Sequence, residues 1–403
     1  MKKELAIDRF MRNLIEKRLF EICLGLALVA ALLTRVFLAH DTFLSPDYET
    51  YYKAWVEFYR QNGGLKGLEF APGDYYVPFN VIYALCSYLP WEPWVLLSII
   101  PCVCELVSAF FIYKILNFLT GKKTVSAFAA TATLFLPFVV FNGALWKQVD
   151  AVYTCFLMIS LYEVLKDRYR GALILYGIAF AFKLQAIIFL PALLILYING
   201  GIKKKGFSIL EFLWIPVVYL IAGLPEVIAG HGLRATYFAY LAQTQELQSE
   251  GYGMVSYFPN LYNFGFDNYD ELLSKGAILL LFTVLVFIAF FCYRHRDRFD
   301  EAMVINMAVW TAYTCVMLLP GMHERYDYAM LLLLTPFAIT CNRKIVIPMI
   351  MANICSLATY GTVLFHAELF PMHYIAIVYT AAYVWVTIDF VRKLTKGEAA
   401  IEA

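Results

Sequence analysis

The sequence predicts an all-α polytopic membrane protein. Three observations predict it: an apolar composition, about twelve apolar runs of spanning length, and basic residues confined to alternate connections. Of 403 residues, 62% are hydrophobic and only 16% are charged, with a mean hydropathy of +0.66. No soluble globular domain of this length needs that balance. The partner it calls for is the lipid bilayer. A net charge of +1 gives no footing for a nucleic-acid partner, and the 17% aromatic share suits Trp and Tyr anchored at two membrane interfaces.

A spanning helix needs about 20 apolar residues. That ruler marks runs near 20–38, 93–118, 124–141, 149–165, 170–182, 184–199, 208–229, 276–293, 302–320, 327–342, 345–365 and 371–391. The first follows a long basic leader and has no small-residue cleavage site, so it reads as an uncleaved anchor. The run from Tyr76 to Leu89 is short and carries Pro78 and Asn80; it reads as a perimembrane helix instead of a span. The pair 170–182 and 184–199 is split by Lys183 and reads as broken or re-entrant helices.

Orientation follows from the charges. With the N- and C-termini in the cytoplasm, most of the 32 Lys and Arg residues fall on the cytoplasmic side, from Lys2 and Lys3 through Lys122, Lys123 and Lys203–Lys205 to Lys396, as the positive-inside rule requires. Counting Tyr76–Leu89 as a span would put Lys122 and Lys123 outside. The chain then reads as one transmembrane domain, 1–403, with two long external loops, 39–92 and 230–275. The cytoplasmic connections are short and basic, so chemistry is expected on the external face. The nine cysteines lie almost all in apolar runs and act as small hydrophobes; Cys102-Val103-Cys104 lacks metal-ligand spacing.

Four clusters carry candidate chemistry. In the first external loop, Asp47 with Tyr51 leads into a stretch holding Trp55, and Asp74 follows Pro72 and Gly73. Asp47 suits a general base at the membrane surface and equally a helix cap. Trp146-Lys147-Gln148-Val149-Asp150 joins two runs with almost no loop, where Lys147 and Asp150 suit either a mutual ion pair or a substrate contact. Lys183, beside Gln185, sits between apolar runs and needs an anion, a carboxylate or a ligand phosphate. His323-Glu324-Arg325-Tyr326 places a guanidinium, the natural fork for phosphate, at the mouth of a run. His323-Glu324 lacks the second histidine of a zinc helix. Glu105, mid-run, reads as a structural acid, and Arg35 as a partner for Asp47 or for a phosphate.

These segments resemble the GT-C superfamily of membrane glycosyltransferases, and in particular bacterial proteins related to the second mannosyltransferase of GPI-anchor assembly. Asp47 with Tyr51 and Trp55 is similar to the family's catalytic loop, and Trp146-Lys147-Gln148-Val149-Asp150 to its W-G-Q-x-D element. Phe182-Lys183-Leu184-Gln185-Ala186 is similar to F-K-P-Q-A, and His323-Glu324-Arg325-Tyr326 to H-E-R-Y. Lys147 stands where the family usually has Gly, and Leu184 where it usually has Pro.

The resemblance implies a polyprenyl-phosphate monosaccharide as donor substrate, a glycan or glycolipid acceptor, and an inverting displacement with Asp47 as general base. It casts Lys183, Arg325 and Arg35 as donor-phosphate ligands. Asp150, Gln148, Lys147, Gln185, His323, Glu324, Tyr51 and Asp74 become donor or acceptor contacts. The scheme needs no cofactor and no divalent metal. The leader and short loops read as bacterial and place the protein in a cytoplasmic membrane, with the ER as the alternative, and the charge pattern sets the site outside. A multi-span transporter or flippase, or a polymerase of lipid-linked glycans, is the alternative. The second external loop, with Gln243, Gln245, Gln248, Tyr252, Tyr257 and Phe258, suits acceptor binding or a plain connector.

Overall fold

The computed structural model describes residues 6–72, 75–243, 253–398 and 401. Helix occupies every one of the predicted runs. Among the described residues, seven helices are long and apolar enough to cross a membrane, and an eighth if the bent pair Lys123–Phe135 and Pro137–Leu145 is one span. That pair bends by 54°. The cause is local: Pro137 cannot continue the helical hydrogen bonding, and Leu136 before it is extended, at φ −62° and ψ 129°.

The helices sort into an outer layer and a core. Ala6–Ala39, Trp214–Ala229 and Glu271–Arg294 turn Leu33, Phe37, Ile221, Phe282 and Phe287 outward, the pattern of a lipid-facing surface. Glu301–Leu318 is buried along its whole length past Glu301, and Tyr328–Thr340 nearly so. Asp300 Oδ1 caps the first of these by accepting from Met303 N at 2.8 Å.

Short helices surround the site. Asp150–Leu165, Tyr169–Phe182 and Tyr328–Thr340 have 16, 14 and 13 residues, so they are about 24, 21 and 20 Å long. A hydrocarbon core is about 30 Å thick. Ends of such helices stop inside that thickness, and the irregular backbone beyond them must line protein or a wet cavity. The short run from Tyr76 to Leu89 holds a helix, Val77–Cys86. The break expected at Lys183 is also present: that residue is extended, at φ −152° and ψ 132°, between Tyr169–Phe182 and the tight turns Leu184–Phe189 that lead into Leu190–Ile198.

Two non-local strands tie distant connecting segments together. Val255–Ser256 pairs in parallel with Met322–His323, in the register Val255 to Met322 and Ser256 to His323. Gly321 N donates to Met254 O at 2.8 Å, and Tyr262 Oη to Leu318 O at 2.5 Å. The described end of the second loop is therefore docked onto the segment that carries His323.

Candidate active site

One cavity of about 380 Å³ gathers the four clusters. Its walls include Asp47 and Tyr51 from the first loop, Trp146 from the second cluster, Lys183 and Gln185 from the helix break, and His323, Glu324 and Arg325. Tyr52, Trp55, Tyr75 and Tyr257 add aromatic faces.

Asp47 does not cap the turn that follows: its side chain makes no capping bond. Its carboxylate instead accepts from Gln148 Nε2. The turn Tyr48–Tyr52 is a wide π-turn, of the kind frequent at functional sites. Ser45 Oγ holds its base by donating to Trp146 O at 2.6 Å. The first loop is thus tied to the second cluster at two points, one of which aims the carboxylate.

Asp150 organises the cations from beneath. It opens its helix, is fully buried, and accepts from Lys183 Nζ at 2.6 Å and from Asn142 Nδ2 at 3.0 Å. Arg325 Nε lies 3.7 Å from its other oxygen. Arg325 also donates to Glu324 Oε1 at 2.5 Å and lies over the Trp146 ring, 5.1 Å from its centroid. Two cations, Lys183 and Arg325, therefore meet two carboxylates, Asp150 and Glu324, with Asp47 on the wall of the same cavity. A phosphate entering here competes with carboxylates already in place. Burial pushes the Glu324 carboxyl above its usual range against the opposing pull of Arg325, which eases that competition at mildly acidic pH. His323 is pulled down to about 3, by burial first and then by Arg325 and Lys183, so it is a neutral imidazole at any physiological pH.

Two expected site residues lie elsewhere. Arg35 reaches neither Asp47 nor the cavity. Its Nε donates to Glu105 Oε2 at 2.5 Å and its Nη2 to Leu134 O at 2.9 Å, all buried between helices. Glu105 is the structural acid expected, with Arg35 as its partner. Lys147 points away from the cavity and donates to Leu145 O at 2.9 Å and Asp41 O at 3.2 Å; it forms no ion pair with Asp150. Its φ is +60°, a left-handed backbone that glycine adopts without strain. That accounts for the glycine usual at this position of the resembled motif. Asp74, like Gln245, Gln248 and Tyr252, lies outside the described residues.

Sequence reading missed Asn142, which braces Asp150 and bonds Tyr360 Oη at 3.0 Å, and Tyr75, whose hydroxyl meets that of Tyr52 at 3.0 Å. Neither carries a charge or stands in a spaced pattern. An Asn eight residues before an Asp across a bent helix has no periodic signature.

The sequence profile of glycosyltransferase family 87 matches residues 75–320. The chain belongs to that family. It is accordingly a membrane glycosyltransferase. The family 87 match takes in Trp146–Asp150 and Lys183; it begins past Asp47 and stops just short of His323, so those two walls rest on the geometry above. No curated protein matches the chain.

Proposed function

We propose that this family 87 protein transfers a monosaccharide, of the hexose class, from a polyprenyl-phosphate donor to a glycan or glycolipid acceptor on the external face of a bacterial cytoplasmic membrane, with inversion at the anomeric carbon. One observation carries the reading: Asp47 shares a single cavity with Lys183 and Arg325. A carboxylate and two cations on facing segments suit a reaction that needs a base at one end and a home for a leaving phosphate at the other.

The acceptor hydroxyl gives its proton to the Asp47 carboxylate as its oxygen bonds to the anomeric carbon. The bond from that carbon to the phosphate oxygen breaks in the same step, and the electron pair leaves on the phosphate. A single displacement inverts the centre. Lys183 and Arg325 stabilise the charge that develops on the leaving phosphate, with Trp146 fixing the guanidinium plane. Gln148 orients Asp47. Neutral His323, with Gln185 and Tyr51, is placed to hydrogen-bond sugar hydroxyls. The short helices support a lipid donor, because a cavity reached below the interface lets the phosphate be held while the chain stays in hydrocarbon.

Purified protein in detergent, given a panel of labelled polyprenyl-phosphate monosaccharides, tests the reading. Wild type is expected to release or transfer the label, and Asp47→Asn to lose turnover by roughly 10²–10⁴-fold. Full turnover by Asp47→Asn would sink the assignment. Substrate movement across liposomes with no donor cleavage would return the protein to the transporter alternative.

A further inference from the structure

A second chamber of about 130 Å³ adjoins the main cavity; Tyr75 and Gln243 line both. Glu226, Asn80 and His231 line it together with Ala235, Ala239 and Ala242. Among the described residues no lysine or arginine lines it.

Glu226 is the unusual member. It belongs to the long apolar helix Trp214–Ala229 and is 3% exposed. A carboxylate at such depth faces a partner or a function. Glu105 has its partner, the Arg35 guanidinium at 2.5 Å. Glu226 has weaker company: Asn80 Nδ2 donates to its Oε1 at 2.7 Å, the buried Thr236 hydroxyl stands beside it, and His231 Nε2 lies 4.0 Å from its Oε2. His231 Nδ1 meets Glu69 O at 2.9 Å and so carries a hydrogen. The turn at Gly230, φ +105°, folds His231 back over the helix end. Asn80 Oδ1 is buried and finds no hydrogen-bond partner among the described residues.

The chamber therefore presents a buried carboxylate, Glu226, beside an unpartnered acceptor, Asn80 Oδ1. A carboxylate and an open acceptor call for hydroxyls, and a sugar ring carries several. Its volume, small-residue wall and lack of cations suit a sugar and disfavour a phosphate. We propose that this chamber is a subsite for a sugar residue of the acceptor, with Glu226 and Asn80 reading its hydroxyls and Tyr75 dividing it from the transfer cavity. The proposal rests on the glycosyl-transfer reading above.

Its test separates the two. Equilibrium binding of radiolabelled octyl hexopyranosides is measured in a detergent without a sugar headgroup, beside transfer from the polyprenyl-phosphate panel. Glu226→Gln is expected to weaken binding of the preferred octyl glycoside at least tenfold, and Asp47→Asn to leave it within twofold. Ala239→Leu fills the chamber without touching Glu226 and serves where Glu226→Gln does not fold; it is expected to abolish binding while donor cleavage by water persists. Wild-type affinity in both chamber variants, or no binding of any octyl glycoside to wild type, overturns the subsite. Glu226-dependent binding with no donor cleavage by wild type keeps the subsite and removes the reaction.

Discussion

Two buried sets of charges, both inside the helical bundle, contrast in what they leave unused. Arg35 and Glu105 lie 2.5 Å apart, and two further guanidinium nitrogens go to Ala31 O and Leu134 O. Every neighbour of that guanidinium is protein. Even the space is filled: a Cβ on Gly143 would stand 2.1 Å from Glu105 Oε1. Lys183 and Arg325 have carboxylates as close, at 2.6 and 2.5 Å, yet both line a 380 Å³ cavity. The difference teaches that charge in a membrane protein marks a site only where one face of the group is left to a cavity. The ion pair alone is a tie between helices.

The strongest way to break this contrast is at the tie. Removing one partner of a buried pair typically costs about 3–5 kcal/mol, whereas replacing both by apolar groups of similar size is near neutral. Arg35→Met is expected to fail to accumulate as folded protein, and Arg35→Met with Glu105→Leu to recover both melting temperature and transfer. Size-exclusion profiles and the transfer assay check it; a folded but inactive double variant would bring Arg35 back into the chemistry.

A smaller effect sharpens the contrast at the cavity. In the proposed reaction Glu324 competes with the donor phosphate for Arg325, and its raised pKa means that the carboxylate becomes neutral as pH falls through a range above that of ordinary carboxylates. Donor KM is thus expected to fall on mild acidification. Glu324→Gln should lower it roughly tenfold at neutral pH, the equivalent of 1.4 kcal/mol, and should flatten its pH dependence. An unchanged KM in that variant would mean that the phosphate does not use Arg325.

The smallest effect concerns Lys147, another buried cation, which faces neither a carboxylate partner nor the main cavity. Lys147→Gly relieves about 1 kcal/mol of left-handed backbone strain and leaves donor and acceptor KM within twofold. Burial pulls the Lys147 pKa down to about 8. A base with a lowered folded-state pKa costs the fold stability below that pKa, and the cost fades as pH rises toward the unfolded value near 10.5. The variant's advantage in melting temperature is therefore expected at pH 7 and smaller at pH 9.5.

Composition and spacing made the helices legible because a bilayer imposes one length and one chemistry on them. The break at Lys183 was legible too, since a charge between two apolar runs has no place in a straight helix. Asp47 and His323-Glu324-Arg325 were found as motifs. That they share one site follows only from the resemblance; the parallel pairing of Val255–Ser256 with Met322–His323 that helps to build it joins distant residues with no period. Arg35, read as a partner for Asp47 or a phosphate, instead finds Glu105, 70 residues away. Glu226 was passed over inside an apolar run, where one acid among hydrophobes says nothing of a chamber beside it.

That same strand pairing bears on how the protein is made. The segment 319–326 reaches its place against residues 254–262 only after both have left the ribosome, and such distant contacts form late. Until then the nascent chain can carry Asp47 and Lys183 but lacks Arg325. During synthesis, the first two-thirds of the polypeptide already sit in the membrane without the guanidinium that the proposed transfer requires. Docking of segment 319–326 then serves as the assembly step that completes the cavity.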